Sequence, residues 1–446
     1  MKWSGRWSWS RAADGAPSAT VPLRQSPQAA RILVLLMLLT VATVAQAASG
    51  DTLRIVGFTA YANPTWQFPI GEPEKKWLRD TQAFVFGGEL HFGALPCDSD
   101  AFAEDYNYPT LSVGAKLALN NGVTMRRTAD PLWGKLVPVD YNSHLGDIFT
   151  LYGAFSRSLL RRGRWQVDYS LRAGVGYGPH IYNRTDNIDN ELIGSRFTIF
   201  FGAGLLANYR ISRQWALTAG VLYGHHSNGA LDRPNKGENH VGPVVGLRYA
   251  PRQLDLPQRA PSPLRPFRSY WYADLRLGFG GKTLLEDWQQ TQYKTDPSDP
   301  DYRTDHFRFY TAYSLQASLM CRYARRWASG LGLDVYYGSY YKHVRDLDEA
   351  AGESCSHSPW SVGISAKHEV YYHNLSLNMA LGLYLYRQMG AGAKVIEQPY
   401  YERIGVYYTF PRLAGLRIGA SVNAHFAKAD ITEFIVGIPF RLSAAP

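Results

Sequence analysis

The chain has 446 residues, with 47 Lys and Arg against 37 Asp and Glu, and its formal net charge is +10. Charged residues make up only 19% and aromatic residues 14%, with 30 Tyr and 41 Gly, whereas a soluble enzyme of this size normally has more charge and less Tyr. The mean hydropathy of -0.26 argues against a helical membrane protein but not against a membrane β-barrel, in which only alternate strand residues face lipid.

The first predicted element is a signal peptide over residues 1–47. An apolar run at 32–47 follows Arg11, Arg24 and Arg31 and ends in Ala45-Gln46-Ala47. A basic region, a short apolar core and a small-residue cleavage site are typical of an export signal, and the core is too short to span a bilayer comfortably. We therefore expect cleavage after Ala47; a buried helix or an N-terminal anchor is the alternative.

The rest of the chain consists of segments with period-two alternation, separated by Gly, Asn, Asp and Pro, and contains no convincing amphipathic helix. We predict strands near 52–62, 81–95, 110–121, 146–160, 165–177, 197–211, 214–227, 239–250, 268–281, 307–323, 327–342, 360–373, 375–386, 400–409, 416–426 and 430–442. Roughly sixteen strands is an even number, as is usual for bacterial outer-membrane barrels.

The predicted connections alternate between short and long along most of the chain. The short ones lie at 161–164, 212–213, 324–326 and 374, and the long polar ones at 122–145, 178–196, 282–306 and 343–359. Outer-membrane barrels have short periplasmic turns and long extracellular loops, so this alternation favours an all-β, antiparallel, transmembrane barrel. Two connections do not fit: 96–109 is long where a short turn is expected, and the last one, near 427–428, is short.

The domain organisation has two readings, because a Pro-rich connection at 251–267 divides residues 48–250 from residues 268–446. The first half could form a barrel of about eight strands by itself. We expect instead that both halves complete one barrel of roughly 12–16 strands, since a second free-standing barrel would need its own closure.

Cysteines and basic residues indicate no cofactor, metal or nucleic acid. Cys97, Cys321 and Cys355 show no metal-binding spacing, and their odd number leaves at least one free thiol. Lys and Arg are dispersed without a nucleic-acid-binding motif, so attraction to an anionic lipid is the more natural interpretation of the net charge.

The segment most informative about chemistry is the end of the seventh predicted strand. Its bulky apolar residues share one face, which should contact lipid: Trp215, Leu217, Ala219, Val221 and Tyr223. His225 and Ser227 continue this face, whereas His226 points inward. A hydroxyl beside an imidazole on the lipid side is costly unless it has a function, and a nucleophile with its general base would suit a lipid ester as substrate.

The next strand offers two candidates that could orient the imidazole. Asn239 shares the lipid-facing phase with His225, whereas Glu238 should point into the lumen unless the strand begins irregularly. Judged from the residues alone, His-x-Ser at a strand end could equally cap the strand or bind interfacial water, and the Asn-Gly and Pro-Asn-x-Gly segments are ordinary turn formers.

The segment 224–239 closely resembles the lipid A 3-O-deacylase family of outer-membrane barrels, of the PagL type. The matching residues are His225, Ser227, Asn228, Pro234, Asn235 and Gly237, with Ile193-Gly194-Ser195, Tyr209-Arg210 and Trp215 upstream. The resemblance implies that Ser227 is the nucleophile and His225 the general base, and that Asn235 or Asn228 stabilises the oxyanion. The best-known family members have Glu as the third residue, where this chain has Asn239, with Glu238 one position earlier.

The expected function is therefore hydrolysis of the 3-position ester of lipid A in the bacterial outer membrane, without a metal or cofactor. The expected partners are lipopolysaccharide and outer-membrane lipid, and the sequence leaves a homodimer open. The alternatives are a non-enzymatic porin-like or structural barrel and a phospholipase-type barrel hydrolase. The smallest family members need only about eight strands, so residues 268–442 lie outside the strong resemblance.

Overall fold

The computed structural model describes residues 54–71, 73–251, 266–426 and 428–444. The predicted signal peptide, residues 1–47, and most of the Pro-rich connection at 251–267 lie outside the described residues. Among the described residues, no helix is both long enough and apolar enough to cross a membrane.

The first half of the chain forms a closed antiparallel barrel. Its strands are β1 (Arg54–Gln67), β2 (Leu78–Gly93), β3 (Thr110–Leu119), β6 (Ile148–Arg162), β7 (Trp165–Tyr177), β8 (Phe197–Arg210), β9 (Trp215–Ser227) and β10 (Glu238–Tyr249). Neighbours in this order pair with each other, and β1 pairs with both β2 and β10, which closes the ring. Two short strands, β4 (Val123–Met125) and β5 (Ser143–His144), extend the sheet beyond the barrel through β2.

The second half closes a barrel of its own, so the expectation that residues 268–446 complete the first barrel is wrong. Its strands are β11 (Tyr270–Thr283), β12 (Phe309–Arg322), β13 (Trp327–Gly338), β14 (His357–Tyr372), β15 (Leu375–Met389), β16 (Tyr400–Phe410), β17 (Leu416–His425) and β18 (Lys428–Ala444). The physical reason is edge pairing: β10 pairs with β1 and β18 with β11, so each half satisfies its own edge strands.

The sequence located all sixteen barrel strands to within a few residues, and the all-β, antiparallel fold class is confirmed. It missed β4, β5 and the short helical segments in the connections. The α-helices are α1 (Ala101–Asp105), α2 (Leu285–Gln289), α3 (Tyr341–Ala350) and α4 (Gly390–Gly392). The 3₁₀ turns are Glu74–Lys76, Pro96–Asp98 and Pro131–Trp133, and single π-turns lie at Gln290–Lys294 and Ala393–Glu397.

Strand alternation gives each barrel an apolar exterior and a polar interior. On β9 and β10, Leu217, Val221 and Val245 are exposed on the outer wall. The first lumen holds a buried ion pair in which Arg172 Nη2 lies 2.7 Å from Glu89 Oε1, and the second holds Arg276 2.9 Å from Glu369. An eight-stranded barrel is just wide enough to be filled by side chains, and these buried ion pairs occupy part of each interior.

The two barrels contact each other through the connection at 94–109, which also explains its unexpected length. The Tyr106 hydroxyl donates to the carbonyl of Tyr371 over 2.8 Å, and Arg326 Nη1 donates to the carbonyl of Asp105 over 2.7 Å. Tyr106 also packs with Tyr372 and Leu111. This connection therefore joins the short-turn ends of the two barrels instead of making a tight turn.

Candidate active site on the outer wall of the first barrel

The pairing of β9 with β10 places His225 directly opposite Asn239. The His225 Nδ1–H donates to Asn239 Oδ1 over 2.8 Å, and the Tyr223 hydroxyl donates to the same oxygen over 3.0 Å. This contact fixes the imidazole orientation and leaves Nε2 as the nitrogen that can accept a proton. Asn239 is therefore positioned to hold the His225 imidazole in one orientation.

Ser227 ends β9 on the same face as His225 and is 9% exposed. Across β8 it pairs with Ile199, while His225 pairs with Phe201. Among the described residues, no hydrogen bond joins the Ser227 hydroxyl to the His225 ring. His225 and Ser227 are two residues apart on one face of the strand, so their side chains are neighbours. In enzymes, hydrogen bonds of this kind often shorten only when substrate binds.

Glu238 lies inside the barrel, because β10 begins in regular register with β9. Its carboxylate accepts hydrogen bonds from His226 Nδ1, from His240 Nδ1 over 2.6 Å and from Gln67 Nε2 over 2.6 Å. Glu238 is fully buried, and its pairing with two inward histidines directs it away from His225. The geometry thus separates the two candidates for the third member, with Asn239 outside and Glu238 in the lumen.

The loop 228–237 brings both oxyanion candidates close to Ser227. The Asn228 backbone N–H donates to Asn235 Oδ1 over 2.8 Å, and Asn228 Nδ2 donates to the carbonyl of Asp232 over 3.1 Å. Because Asn235 accepts through its oxygen, its Nδ2 is the end that can donate to an oxyanion. The backbone N–H and the side-chain amide of Asn228 both donate within the loop, which favours Asn235 as the oxyanion donor.

Gly237 shows why a glycine is needed where the loop joins β10. Its φ is +81°, a left-handed conformation, and a Cβ there would lie 2.6 Å from His225 Cε1. Any side chain would strain the backbone and displace the imidazole. From the sequence, Gly237 was predicted as a turn former and as part of the segment that resembles the family, without any contact to His225.

The second barrel also contacts this loop, and the sequence analysis missed those residues. The Thr432 hydroxyl donates to the carbonyl of Gly229 over 2.7 Å, and the Thr283 N–H donates to the carbonyl of Ala230 over 2.8 Å. Arg233 Nη2 returns a hydrogen bond to the carbonyl of Thr283 over 3.0 Å. No local signal could have revealed these contacts, since Thr is common in strands and the partners of Thr283 and Thr432 lie far away in the sequence.

Burial raises the pKa of the Asp232 carboxyl, in the same loop, to about 7. In the unfolded chain an Asp ionises near pH 4, so the folded state loses stability as the pH rises from about 4 to about 7. We expect Asp232→Asn to raise the Tm in detergent micelles at about pH 8 and to leave it unchanged near pH 4. Exposed Asp186→Asn is the control, and an equal shift at both pH values would contradict this assignment.

Three groups of described residues bring potential metal ligands within reach of one another, and none includes Ser227 or His225. They are His226, Glu238 and His240; Asp348, Cys355 and His357; and Glu397, His425 and Asp430. Lysine side chains lie beside the first and third groups, with Lys116 Nζ 3.4 Å from His240 Nε2 and Lys282 paired with Asp430. The second group lies in the second barrel, and all three cysteines are unpaired.

Family comparisons match both halves of the chain. A family model described as "Lipid A 3-O-deacylase (PagL)" matches residues 133–248, and one described as "Acyloxyacyl hydrolase, C-terminal domain" matches residues 271–443. Each match falls on one of the two barrels, and together they span most of the chain. No curated protein matched the chain.

Similar solved structures include two porins and a toluene transporter. A triple mutant of the Rhodopseudomonas blastica porin is 9% identical with a TM-score of 0.15, and the alignment covers 87% of this chain and 100% of the porin. A BenF-like porin from Pseudomonas fluorescens is 11% identical with a TM-score of 0.19, at 88% and 98% coverage. The Pseudomonas putida toluene transporter TodX is 9% identical with a TM-score of 0.17, at 90% and 91% coverage. Similarities with such low TM-scores support no conclusion about function.

Proposed function

The chain belongs to the lipid A 3-O-deacylase (PagL) family, and from this premise we propose that it is an outer-membrane enzyme that removes the 3-linked acyl chain of lipid A by Ser–His catalysis. The observation that best supports the mechanism is the hydrogen bond between His225 Nδ1 and Asn239 Oδ1, on the same wall as Ser227. A correctly oriented imidazole beside a hydroxyl is the arrangement that activates a serine nucleophile.

In the proposed reaction, Ser227 Oγ attacks the ester carbonyl carbon while His225 Nε2 takes the hydroxyl proton. The negative charge that forms on the carbonyl oxygen is stabilised by Asn235 Nδ2. His225 then gives the proton to the departing sugar oxygen, which leaves an acyl ester on Ser227. Water activated by His225 hydrolyses that ester, so the products are 3-O-deacylated lipid A and a 3-hydroxy fatty acid.

The location of these residues suits a substrate that is itself part of the membrane. His225 and Ser227 continue the face on which Leu217 and Val221 are exposed. A lipid can therefore approach sideways from the bilayer, and the reaction requires no water-filled pocket. A polar pair on such a wall would otherwise be costly, because lipid offers no hydrogen-bond partners.

A porin function fits the structure less well. Porins of 16–18 strands enclose an aqueous channel, whereas this chain divides its strands into two eight-stranded barrels. Both interiors hold buried ion pairs, such as Arg172 with Glu89 and Arg417 with Asp274 at 3.0 Å. These side chains occupy the space that a solute would need.

The proposed function is tested by mass spectrometry of lipid A from Gram-negative cells that make the wild-type chain, Ser227→Ala or neither. We expect only the wild type to yield lipid A lighter by one 3-hydroxyacyl group. Fatty acid release from purified glycerophospholipid serves as the control for phospholipase activity. Unchanged lipid A in cells with folded wild-type protein in the outer membrane would refute the proposal.

A further inference from the structure

The second barrel contributes to the candidate active site, although it contains none of the proposed catalytic residues. Its Thr283 and Thr432 bind the carbonyls of Ala230 and Gly229, in the loop between Ser227 and Asn235. A Cβ on Gly229, whose φ is +63°, would collide with the Thr432 hydroxyl. The loop therefore packs directly against the second barrel.

A cleft runs between the barrels immediately beside this loop. On the first barrel, Val175, Ile199 and Phe201 line it, and Ile199 and Phe201 are the strand partners of Ser227 and His225. The cleft thus begins one strand away from the proposed nucleophile. It follows β8 from Ile199 to Phe201, which is the direction from the loop end of the barrel toward its short-turn end.

The opposite wall of the cleft comes from β16 and β17 of the second barrel. Its outward side chains Ile404, Val406, Ala420 and Val422 are all apolar. The pairings of Ile404 with Val422 and of Val406 with Ala420 place them on a single face. The cleft is partly open to its surroundings.

We propose that this inter-barrel cleft, defined by Val175, Ile199, Phe201, Val406, Ala420 and Val422, binds the 3-acyl chain of the substrate during cleavage. The inference rests on the proposed function and assigns the second barrel a role in substrate selection. The lining is mostly apolar, and the hydroxyls of its two polar side chains already have acceptors. The Thr432 hydroxyl donates to the carbonyl of Gly229, and the Ser421 hydroxyl donates to Glu433 Oε2 over 3.4 Å. An acyl chain whose ester carbonyl lies at Ser227 can enter the cleft past Ile199, the strand partner of Ser227, and this proximity is what favours the substrate's own chain as the occupant.

The experiment compares two synthetic lipid A substrates that differ only in the 3-linked chain, hydroxymyristoyl or hydroxybutyryl. Full-length variants are purified in detergent micelles, and folding is verified by heat-modifiable migration. Ala420→Trp fills the cleft and is expected to lower kcat/KM for the long chain by about ten-fold or more, with the short chain within about two-fold. Val422→Ala is a smaller change that is less disruptive to folding. It removes apolar contact surface from the cleft and is expected to raise KM for the long chain by about four-fold.

Leu331→Trp is the matched control, because Leu331 is 71% exposed on β13, on the opposite side of the second barrel. Wild-type kinetics are expected for this variant with both substrates. Equal kinetics of wild type and Ala420→Trp on both chains would overturn the cleft proposal, as would equal losses on both chains. Full activity of Ser227→Ala would instead overturn the proposed function, so the two failures are distinguishable.

Discussion

Replacing Ser227 with alanine is expected to lower the rate of lipid A deacylation by about 10⁵-fold to 10⁶-fold, because the reaction loses its nucleophile. His225→Ala should cause a loss of similar size, because the Ser227 hydroxyl is a weak nucleophile unless the imidazole takes its proton. The double variant should be no slower than either single variant, because residues that act as a unit are strongly non-additive. The measurement is release of 3-hydroxy fatty acid from lipid A in micelles.

The control for this prediction is Ser212→Ala, since Ser212 lies in the short turn before β9, at the opposite end of the strand from Ser227. It should leave the rate unchanged. Additive effects of Ser227→Ala and His225→Ala would show that the two residues do not form one catalytic unit. A normal rate for either single variant would remove that residue from the mechanism.

The second large effect is expected at Asn239, which we assign as a positioning residue acting through His225. Asn239→Leu keeps the approximate volume but removes the acceptor for Nδ1–H, and should lower kcat by about 10²-fold to 10⁴-fold with little change in KM. Asn239→Asp keeps an acceptor oxygen and should restore most of kcat. This rescue distinguishes orientation of the imidazole from a general structural role.

Glu238→Gln provides the matched comparison one residue away. It should keep kcat close to the wild type, because Glu238 contacts His226 and His240 in the lumen instead of His225. It should lower the Tm, since removing one partner of a buried charged network is destabilising. A loss of kcat in Glu238→Gln at normal Tm, with normal kcat in Asn239→Leu, would reverse the assignment.

An amide in place of the family's usual carboxylate has a physical consequence. The Asn239 oxygen can hold the imidazole in the correct tautomer, but it cannot stabilise an imidazolium by charge. A carboxylate on this wall would also have to remain ionised next to lipid, which is costly. The Tyr223 hydroxyl donates to the same oxygen, so the Asn239 carbonyl has a second hydrogen-bond partner on this wall.

The strands and the position of the site could be predicted because their signals are local. Alternation with a period of two identifies each strand and its lipid-facing side, and it placed His225, Ser227 and Asn239 outside and Glu238 inside. The inner network of Glu238 with His240 and Gln67 could not be predicted, because it depends on residues from β1 and β10 meeting in the lumen. The helix α3 was missed because it is short and lies in a polar connection.

The strands, their two faces and the residues that a lipid could reach can be predicted from local sequence, since each depends on neighbours a few positions apart. The number of barrels that these strands make follows instead from long-range pairing, because closure depends on which edge strands pair. Any long antiparallel strand can in principle pair with any other. The strands that close the two barrels, β1 with β10 and β11 with β18, lie far apart in the sequence. The cleft beside Ser227 could not be predicted for the same reason, because its two walls come from opposite halves of the chain.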